Sequence, residues 1–243
     1  MKNKNFIIVV LGQIISLLGN SVQRFAMSLY ILDITGSAAI FSTILAVSTI
    51  PYIIFAPLAG FLADTINRKK IMVCLDILSA AILAIYSVLI VNYNNIIVIA
   101  GIMFLLSTLY TLYSPAVISS IPQIVEKNEL TAANGIIQQV GYIVNILGPI
   151  LAGILYGFMN IRMIILLNCI SFLISGILEM LLDIPDLKLK KKSQHPILES
   201  TGEMIRVFKY LKDEKQIVLG IIYSYALTNI FVVPVLTVVS PFF

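Results

Sequence analysis

Charged side chains inside long apolar stretches are the residues of this sequence with the clearest potential for chemistry. Arg24 falls within the apolar stretch that begins at Phe6, and Asp76 within the one that begins at Ile71. An ionisable group is costly in a bilayer, so such groups usually face a partner, a cavity or an ion pathway. Both are therefore functional candidates. The alternative for Arg24 is a structural role, either snorkelling or pairing near one end of a helix bundle.

A second group of charges lies in a short polar segment between two apolar stretches. Residues 60–70 read GFLADTINRKK. Asp64 stands where a carboxylate can cap the next helix and pair with Arg68, which Lys69 follows. Gly60 has no side chain and would let two helices approach closely, as small residues do in membranes. The segment predicts a charged latch, with a plain basic loop as the alternative.

The composition requires a membrane protein. Of 243 residues, 59% are hydrophobic and 12% are charged, whereas soluble domains have about 45–50% apolar and about 25% charged residues. Soluble, disordered and fibrous classes are therefore excluded. Two cysteines cannot staple a chain of this length, which excludes a disulfide scaffold. With a single histidine and no glycine-rich phosphate loop, the sequence predicts neither an enzyme nor a bound cofactor or metal.

The apolar stretches predict an all-α protein with seven membrane spans, since a span needs about 20 mostly apolar residues. The predicted spans are residues 6–32, 38–62, 71–91, 96–117, 132–158, 163–182 and 217–239. The first is too long for a signal-peptide core, so we expect it to be retained. The predicted domains are a six-helix bundle at 1–183, a cytoplasmic linker with an amphipathic helix at 184–216, and the seventh span at 217–243.

The basic residues predict the orientation of these spans. All but two of the sixteen Lys and Arg residues fall on the side of the chain's N-terminus. Because Lys and Arg collect in cytoplasmic loops, the N-terminus is predicted to lie inside. Glu179 and Asp183 close the sixth span near the basic run at residues 188–192, and both are expected to be interfacial. The positive charge is thus a topology signal, and basic residues do not alternate with aromatic ones as single-stranded nucleic acid requires. We expect a lipid bilayer and no nucleic acid as partner.

The segment at residues 60–70 resembles the loop 2–3 signature of the major facilitator superfamily, Gly-x-Leu-x-Asp-Arg-x-Gly-Arg-Lys. The matching residues are Gly60, Leu62, Asp64, Arg68 and Lys69. Thr65 and Asn67 replace the usual Arg and Gly, although Asn tolerates a left-handed turn better than other side chains. In that family the loop gates the cytosolic side against the second half of the carrier. Asp76 is expected to join this charge network, with proton carriage as the alternative.

A second resemblance lies in the predicted fifth span. Residues 148–153, GPILAG, are similar to the Gly-Pro-x-x-Gly-Gly element of antiporters in this superfamily. Gly148 and Gly153 would permit tight helix packing, and Pro149 would kink the span. Residues 32–38, 114–116 and 121–135 look like the macrolide-efflux and enterobactin-exporter branch.

The resemblance implies a secondary transporter in a bacterial cytoplasmic membrane, not an enzyme. Its expected activity is proton-coupled efflux of an amphipathic small molecule, such as a macrolide-type drug. The first span of the family borders the central cavity, so Arg24 is the leading cavity candidate. Tyr110 and Tyr113 are candidates for an aromatic cavity wall, with an interfacial aromatic belt as the alternative.

The length of the sequence predicts only part of a complete carrier. Carriers of this type have two six-span halves that rock against each other, whereas this sequence reads as one half plus one span. We expect a truncated chain. It is then an inactive N-terminal fragment, a half-carrier that assembles with a second chain, or a non-transporting membrane protein that binds or regulates a partner.

Overall fold

The computed structural model describes residues 3–89, 95–184 and 209–239, together with Gly202 and Arg206. These residues form helices and include no strand, which confirms the all-α prediction. The helices are α1 (Lys4–Thr35), α2 (Ala38–Val47), α3 (Ile50–Thr65), α4 (Arg68–Leu89), α5 (Ile96–Ile124), α6 (Leu130–Phe158), α7 (Ile161–Met180) and α8 (Gln216–Val239).

Six stretches of the described chain are long and apolar enough to cross a membrane. They are α1, α2 with α3, α4, α5, α6 and α7, which agrees with the first six predicted spans. Helix α8 coincides with the predicted seventh span, whose crossing of the membrane stays a prediction. Large apolar side chains remain exposed along α6 and α7, with Phe158 at 87%. Such a surface suits lipid and not water.

The second span is interrupted between α2 and α3. The helix breaks at residues 48–49, just before Pro51, because proline has no N–H to donate to the carbonyl four residues earlier. The hydroxyls of Ser48 and Thr49 each donate to a backbone carbonyl three residues back, at 2.7 Å. The carbonyl of Ala46 also accepts from the backbone N–H of Thr49 at 3.0 Å. These bonds keep carbonyls paired at the interruption, as the bilayer requires. Pro57, by contrast, lies within α3 without ending it.

The helix ends carry the expected capping residues. Asn3, Ser37, Asn95 and Asn160 accept from backbone N–H groups at the starts of α1, α2, α5 and α7, as N-cap residues commonly do. Gly36 closes α1 with φ of 63°, a left-handed conformation that glycine adopts without steric cost. These caps place the predicted turn between the first two spans at residues 36–37.

Contacts at one end of the bundle bring the chain's N-terminus to the ends of α5 and α7. Asn3 donates to the carbonyl of Ile124 at the end of α5. The side chain of Asn5 donates to the carbonyl of Asp183 at 2.8 Å and accepts from its N–H at 3.2 Å. The chain therefore returns to its starting side after the sixth span.

The interior has two apolar clusters with a polar layer between them. The first cluster includes Met27 of α1, Leu83 of α4 and Ile165 of α7. The second, nearer the N-terminus, includes Val9 of α1 and Val117 of α5. Buried polar groups occupy the intervening level of α1, α4, α5 and α7. They include Gln13, Ser16, Asp76, Ser79, Ser107, Thr111, Ser175 and Glu179. This polar layer positions the site described below.

The chain separates into two compact units, residues 1–192 and 193–243. The first holds α1–α7, and the second holds α8. The predicted domain boundaries at 183 and 216 stay predictions. The predicted amphipathic helix at residues 200–215 lies partly outside the described residues, of which 209–214 are helical.

Candidate functional site

The loop between α3 and α4 connects three elements at the N-terminal end of the bundle. Arg68 Nε donates to the carbonyl of Ala63 at 3.1 Å. The same guanidinium contacts the side-chain amide of Gln123 near the end of α5. With that amide assigned so that its oxygen faces the arginine, the oxygen accepts from Nε at 3.2 Å. Lys69 Nζ donates to the carbonyl of Leu182, just after α7, at 2.6 Å. The two basic residues of the predicted latch thus fasten the loop to the ends of α5 and α7.

The predicted close helix approach at Gly60 is wrong for the described chain. Gly60 is exposed, and a Cβ added there would meet no atom within 4 Å. The small residues that α3 buries are instead Ala59 and Ala63, which lie one turn apart on another face. Asp64 is exposed at the end of α3, and its pairing with Arg68 stays a prediction.

Asp76 lies away from this loop, in the polar layer. It is only 3% exposed. Eight residues of helix separate it from Arg68, which is about 12 Å of helical rise. Its Oδ2 atom has no hydrogen-bond partner. The placement of Asp76 in the loop's charge network is therefore corrected: it belongs with the buried groups of α1, α5 and α7.

Glu179 is the main site residue that the sequence reasoning misplaced. Its position near the end of the sixth span and near the basic run suggested an interfacial residue, yet its side chain is fully buried. Tyr113 Oη donates to Glu179 Oε1 at 2.5 Å, and Oε2 has no partner. The available signal was its setting, because residues 177–182 read ILEMLL. A lone carboxyl in such a run faces the bundle interior.

Two glycines let α1, α4 and α7 meet around these carboxyls. A Cβ on Gly176, one turn before Glu179, would lie 3.6 Å from Asp76 Cβ. A Cβ on Gly12 would lie 3.2 Å from Ser175 Oγ and 3.9 Å from Glu179 Oε1. Ser175 Oγ in turn donates to the carbonyl of Gly12 at 3.2 Å. The backbones therefore approach closely at the level of Asp76 and Glu179.

A small cavity of about 10 Å³ lies beside Asp76. Its wall includes Ser16, Asn20, Asp76, Ser79, Tyr110 and Tyr113, and none of its lining residues is Lys, Arg or His. The volume is that of about one water-sized probe. Asp76 thus faces a small space whose wall contains both polar and apolar side chains but no basic one.

A larger cavity of about 80 Å³ lies between α1, α3, α5 and α6. Asn20 and Arg24 of α1, Tyr52 of α3, Tyr110 of α5 and Asn145 of α6 line it. The rings of Tyr52 and Tyr110 meet edge to face, with centroids 5.7 Å apart and planes at 64°. Arg24 is therefore a cavity residue by position, and Tyr52 is a wall residue that the sequence reasoning missed.

The two cavities adjoin each other. Leu17, Asn20 and Tyr110 line both. Tyr113, one turn after Tyr110, lines only the smaller one and is bonded to Glu179. The predicted aromatic pair is thus divided, with one tyrosine between the cavities and the other in the carboxyl cluster.

The predicted fifth-span element contains two glycines in different settings. Helix α6 is continuous through Pro149. A Cβ on Gly148 would lie 2.6 Å from Ser21 Cβ and would also collide with Ser21 Oγ, whereas a Cβ on Gly153 would meet no atom within 4 Å. Tight packing therefore occurs at Gly148 and not at Gly153. Because Ser21 also lines the larger cavity, the contact at Gly148 sets the spacing of two cavity walls.

The described residues hold no group of three or more His, Cys, Asp or Glu side chains that is placed to bind a metal ion. The chemistry offered by the site is that of two carboxyls, three phenols, a guanidinium and several amides.

Comparisons with known proteins agree with this architecture. Macrolide efflux protein A of Streptococcus pyogenes is 28% identical over 187 residues, which are 76% of this chain and 46% of the relative. The protein of the same name from Enterococcus faecalis is 29% identical over 163 residues, 66% of this chain and 50% of the relative. The chain thus spans about half the length of these relatives.

A solved structure shares the fold. A bacterial homologue of the iron transporter ferroportin, in its outward-facing state, superposes with a TM-score of 0.56 at 20% identity. The match covers 72% of this chain and 48% of that one. The sequence profile of the Major Facilitator Superfamily matches residues 9–243, nearly the whole chain. The chain therefore belongs to the Major Facilitator Superfamily and is a multi-pass membrane protein of the transporter type.

Proposed function

We propose that this chain supplies the substrate-binding bundle of a secondary exporter for amphipathic small molecules, with macrolide-type drugs as the leading class. The observation that carries the proposal is the cavity of about 80 Å³ that joins Arg24 to Tyr52 and Tyr110 among otherwise apolar spans. Two relatives that match most of this chain are named for macrolide efflux.

The cavity wall suits a molecule with an apolar body and polar oxygens. The faces and edges of Tyr52 and Tyr110 offer contact area to apolar groups. Arg24 presents fixed N–H donors, and Asn20 and Asn145 add amide donors and acceptors. A large lactone that carries carbonyl and hydroxyl oxygens fits this donor set. A compact, fully apolar solute would leave Arg24 unpaired in the bilayer, which is costly.

We further propose that the proton gradient across a bacterial cytoplasmic membrane drives export. The sequence has no phosphate-binding loop for ATP, and buried carboxyls in transporters commonly carry protons. In this scheme the N-terminus and the Arg68–Lys69 loop face the cytoplasm, as the distribution of basic residues favours. The loop then holds the inner ends of α4, α5 and α7 together as part of the gate.

A working carrier of this family alternates access between two bundles. The proposal therefore includes a second bundle opposite the face that α1, α3, α5 and α6 line. A second half-carrier chain is one source for it. The small-molecule substrate binds between the two bundles, against Arg24 and the tyrosines.

An accumulation assay tests the proposed function. Cells without their main exporters would express the chain, and uptake of ethidium and of erythromycin would be measured with and without a protonophore. We expect lower accumulation than with empty vector, and recovery when the protonophore is added. Correct insertion with accumulation equal to the vector control would contradict export by an assembly of this chain with itself.

A matched pair of arginine variants makes the assay specific to the cavity. Arg24→Gln removes the cation from the larger cavity and should weaken export of erythromycin by about tenfold, equivalent to about 1.4 kcal/mol of lost binding. Arg162→Gln changes an exposed arginine at the start of α7 and should leave export unchanged. Equal effects of both substitutions would argue against a role of the cavity in substrate binding.

A further inference from the structure

We propose that Asp76 and Glu179 form a proton-binding site in the polar layer of the bundle, beside the substrate cavity. The pair holds one proton, with Tyr113 as the positioning residue for Glu179. Proton binding itself stands on the geometry of α1, α4, α5 and α7. Its coupling to export rests on the proposed function.

The first support is the burial of both carboxyls. Asp76 is 3% exposed and Glu179 is 0% exposed. They lie on α4 and α7, whose backbones meet at Gly176, where an added Cβ would stand 3.6 Å from Asp76 Cβ. Keeping both carboxylates charged at such a level of the bilayer without a cation is costly. The free-energy cost of the unpaired charges exceeds that of keeping one proton.

The second support is a set of buried polar atoms that lack a hydrogen-bond partner. Asp76 Oδ2 and Glu179 Oε2 have no hydrogen-bond partner. On α1, Gln13 Oε1 and Ser16 Oγ, both on side chains more than nine-tenths buried, have none either. Ser16 lines the same small cavity as Asp76. Unsatisfied buried polar groups are rare in proteins, and several at one level indicate a site that is completed by something else.

The charged and titratable surroundings favour a proton over a fixed ion pair. Tyr110 and Tyr113 of α5, Ser79 of α4, and the uncharged Ser16 and Asn20 of α1 line the cavity beside Asp76, and Tyr113 also donates to Glu179. On α7, Ser175 lies one turn before Glu179 and donates to the carbonyl of Gly12. Arg24 lies in the adjoining cavity and does not line the one beside Asp76. Neutralisation by a proton is then the simplest way to stabilise the pair.

The proton balance is simple. A proton from water binds one carboxylate oxygen and forms a neutral carboxylic acid, whose O–H can donate to the other carboxyl. Release returns the proton to water and leaves the pair ionised. No other bond is made or broken, and no oxidant or co-reactant takes part.

The proposed proton site adjoins the proposed substrate cavity. Tyr110, Asn20 and Leu17 line both the cavity beside Asp76 and the cavity that holds Arg24. A substrate that moves Tyr110 therefore changes the wall of the proton site directly. If each ligand disfavours the other, the pair provides the mutual exclusion that antiport needs.

Infrared spectroscopy of the purified full chain in lipid tests the proposal without any transport assay. A buried, protonated carboxylic acid gives a carbonyl stretch that shifts in deuterated water. We expect this band in the wild type, its disappearance as the pH is raised, and its loss in Asp76→Asn combined with Glu179→Gln. Asp183→Asn and Glu126→Gln change exposed carboxyls near the bundle ends and should leave the band intact.

One further variant and one added condition test the assignment of the band. Tyr113→Phe keeps both carboxyls but removes the hydrogen bond to Glu179, so the band should remain and change frequency. A band that is identical in the wild type and the double variant would overturn the proposal. So would a band that disappears on addition of sodium at constant pH, because the occupant would then be a metal cation. A wild-type band without erythromycin export would support proton binding and contradict only the proposed function.

Discussion

The loop between α3 and α4 and the polar layer around Asp76 use charge in different ways. The loop holds Arg68 and Lys69 near an end of the bundle, where they donate to backbone carbonyls and an amide. The polar layer holds two carboxyls that are almost completely buried, with one oxygen of each unsatisfied. The basic residues of the first region hold helix ends together. The carboxyls of the second region are, in our proposal, the groups that bind and release a proton.

The two regions also differ in how far apart their residues lie in the sequence. The loop residues are consecutive, so their spacing alone suggested a function. Asp76, Tyr113 and Glu179 come from three helices, and only the packing of α4, α5 and α7 brings them together. Each carboxyl stands out singly within an apolar run, but no local sequence pattern shows that the three residues meet.

The largest expected effect comes from removing both buried carboxyls. Asp76→Asn with Glu179→Gln should abolish protonophore-sensitive export, since neither residue could then carry the coupling proton. The corresponding loop variant, Lys69→Met, should keep such export at a reduced rate. The measurement is erythromycin accumulation with and without a protonophore, at matched amounts of inserted protein. Undiminished protonophore-sensitive export in the double variant, or complete loss of that export in Lys69→Met, would contradict the roles that we assign to the two regions.

The next effect concerns the packing that sets the cavity walls. Gly148→Ala should lower the free energy of unfolding by about 1–3 kcal/mol, because the added Cβ collides with Ser21 in a tightly packed site. Gly153→Ala on the same helix adds its methyl group to open space and should change stability by about 0.5 kcal/mol or less. Thermal unfolding in one detergent, followed by circular dichroism, compares them. Similar melting temperatures for both variants would show that α1 and α6 are not closely packed at Gly148.

The smallest expected effect lies in the loop. Lys69→Met removes the hydrogen bond to the carbonyl of Leu182 and should cost about 0.5–1.5 kcal/mol, since the lysine is only partly buried. Lys70→Met removes the neighbouring charge at an exposed position and should cost less than about 0.5 kcal/mol. The same unfolding experiment applies. A larger loss in Lys70→Met would mean that net charge, and not the contact to Leu182, stabilises this end.

The sequence predicted the architecture well because membrane helices must satisfy their own backbone hydrogen bonds. Apolar length alone therefore identified six spans, and the Asp-Ile-Thr-Gly-Ser turn was predicted between the first two. The break before Pro51 was not predicted, because a proline inside a span can either be accommodated or end the helix. The neighbouring packing decides between these outcomes.

The site was predictable only in part. Arg24 was identified because a charge within an apolar stretch is conspicuous in one dimension. Glu179 was misplaced because its distance from the end of the span did not reveal that α1 and α5 cover it. Gly60 and Gly148 look equivalent in sequence, yet only Gly148 contacts another helix. Which face of a helix is covered depends on its neighbours, and this information is absent from local spacing.

The most direct test of the account asks whether substrate binding displaces the proton. Erythromycin would be added to the purified chain in a weakly buffered solution, and a pH indicator dye would report released protons while a separate titration measures binding. We predict that the wild type releases protons when it binds erythromycin, and that Asp76→Asn combined with Glu179→Gln binds erythromycin without releasing protons. Binding by the wild type with no proton release would contradict it.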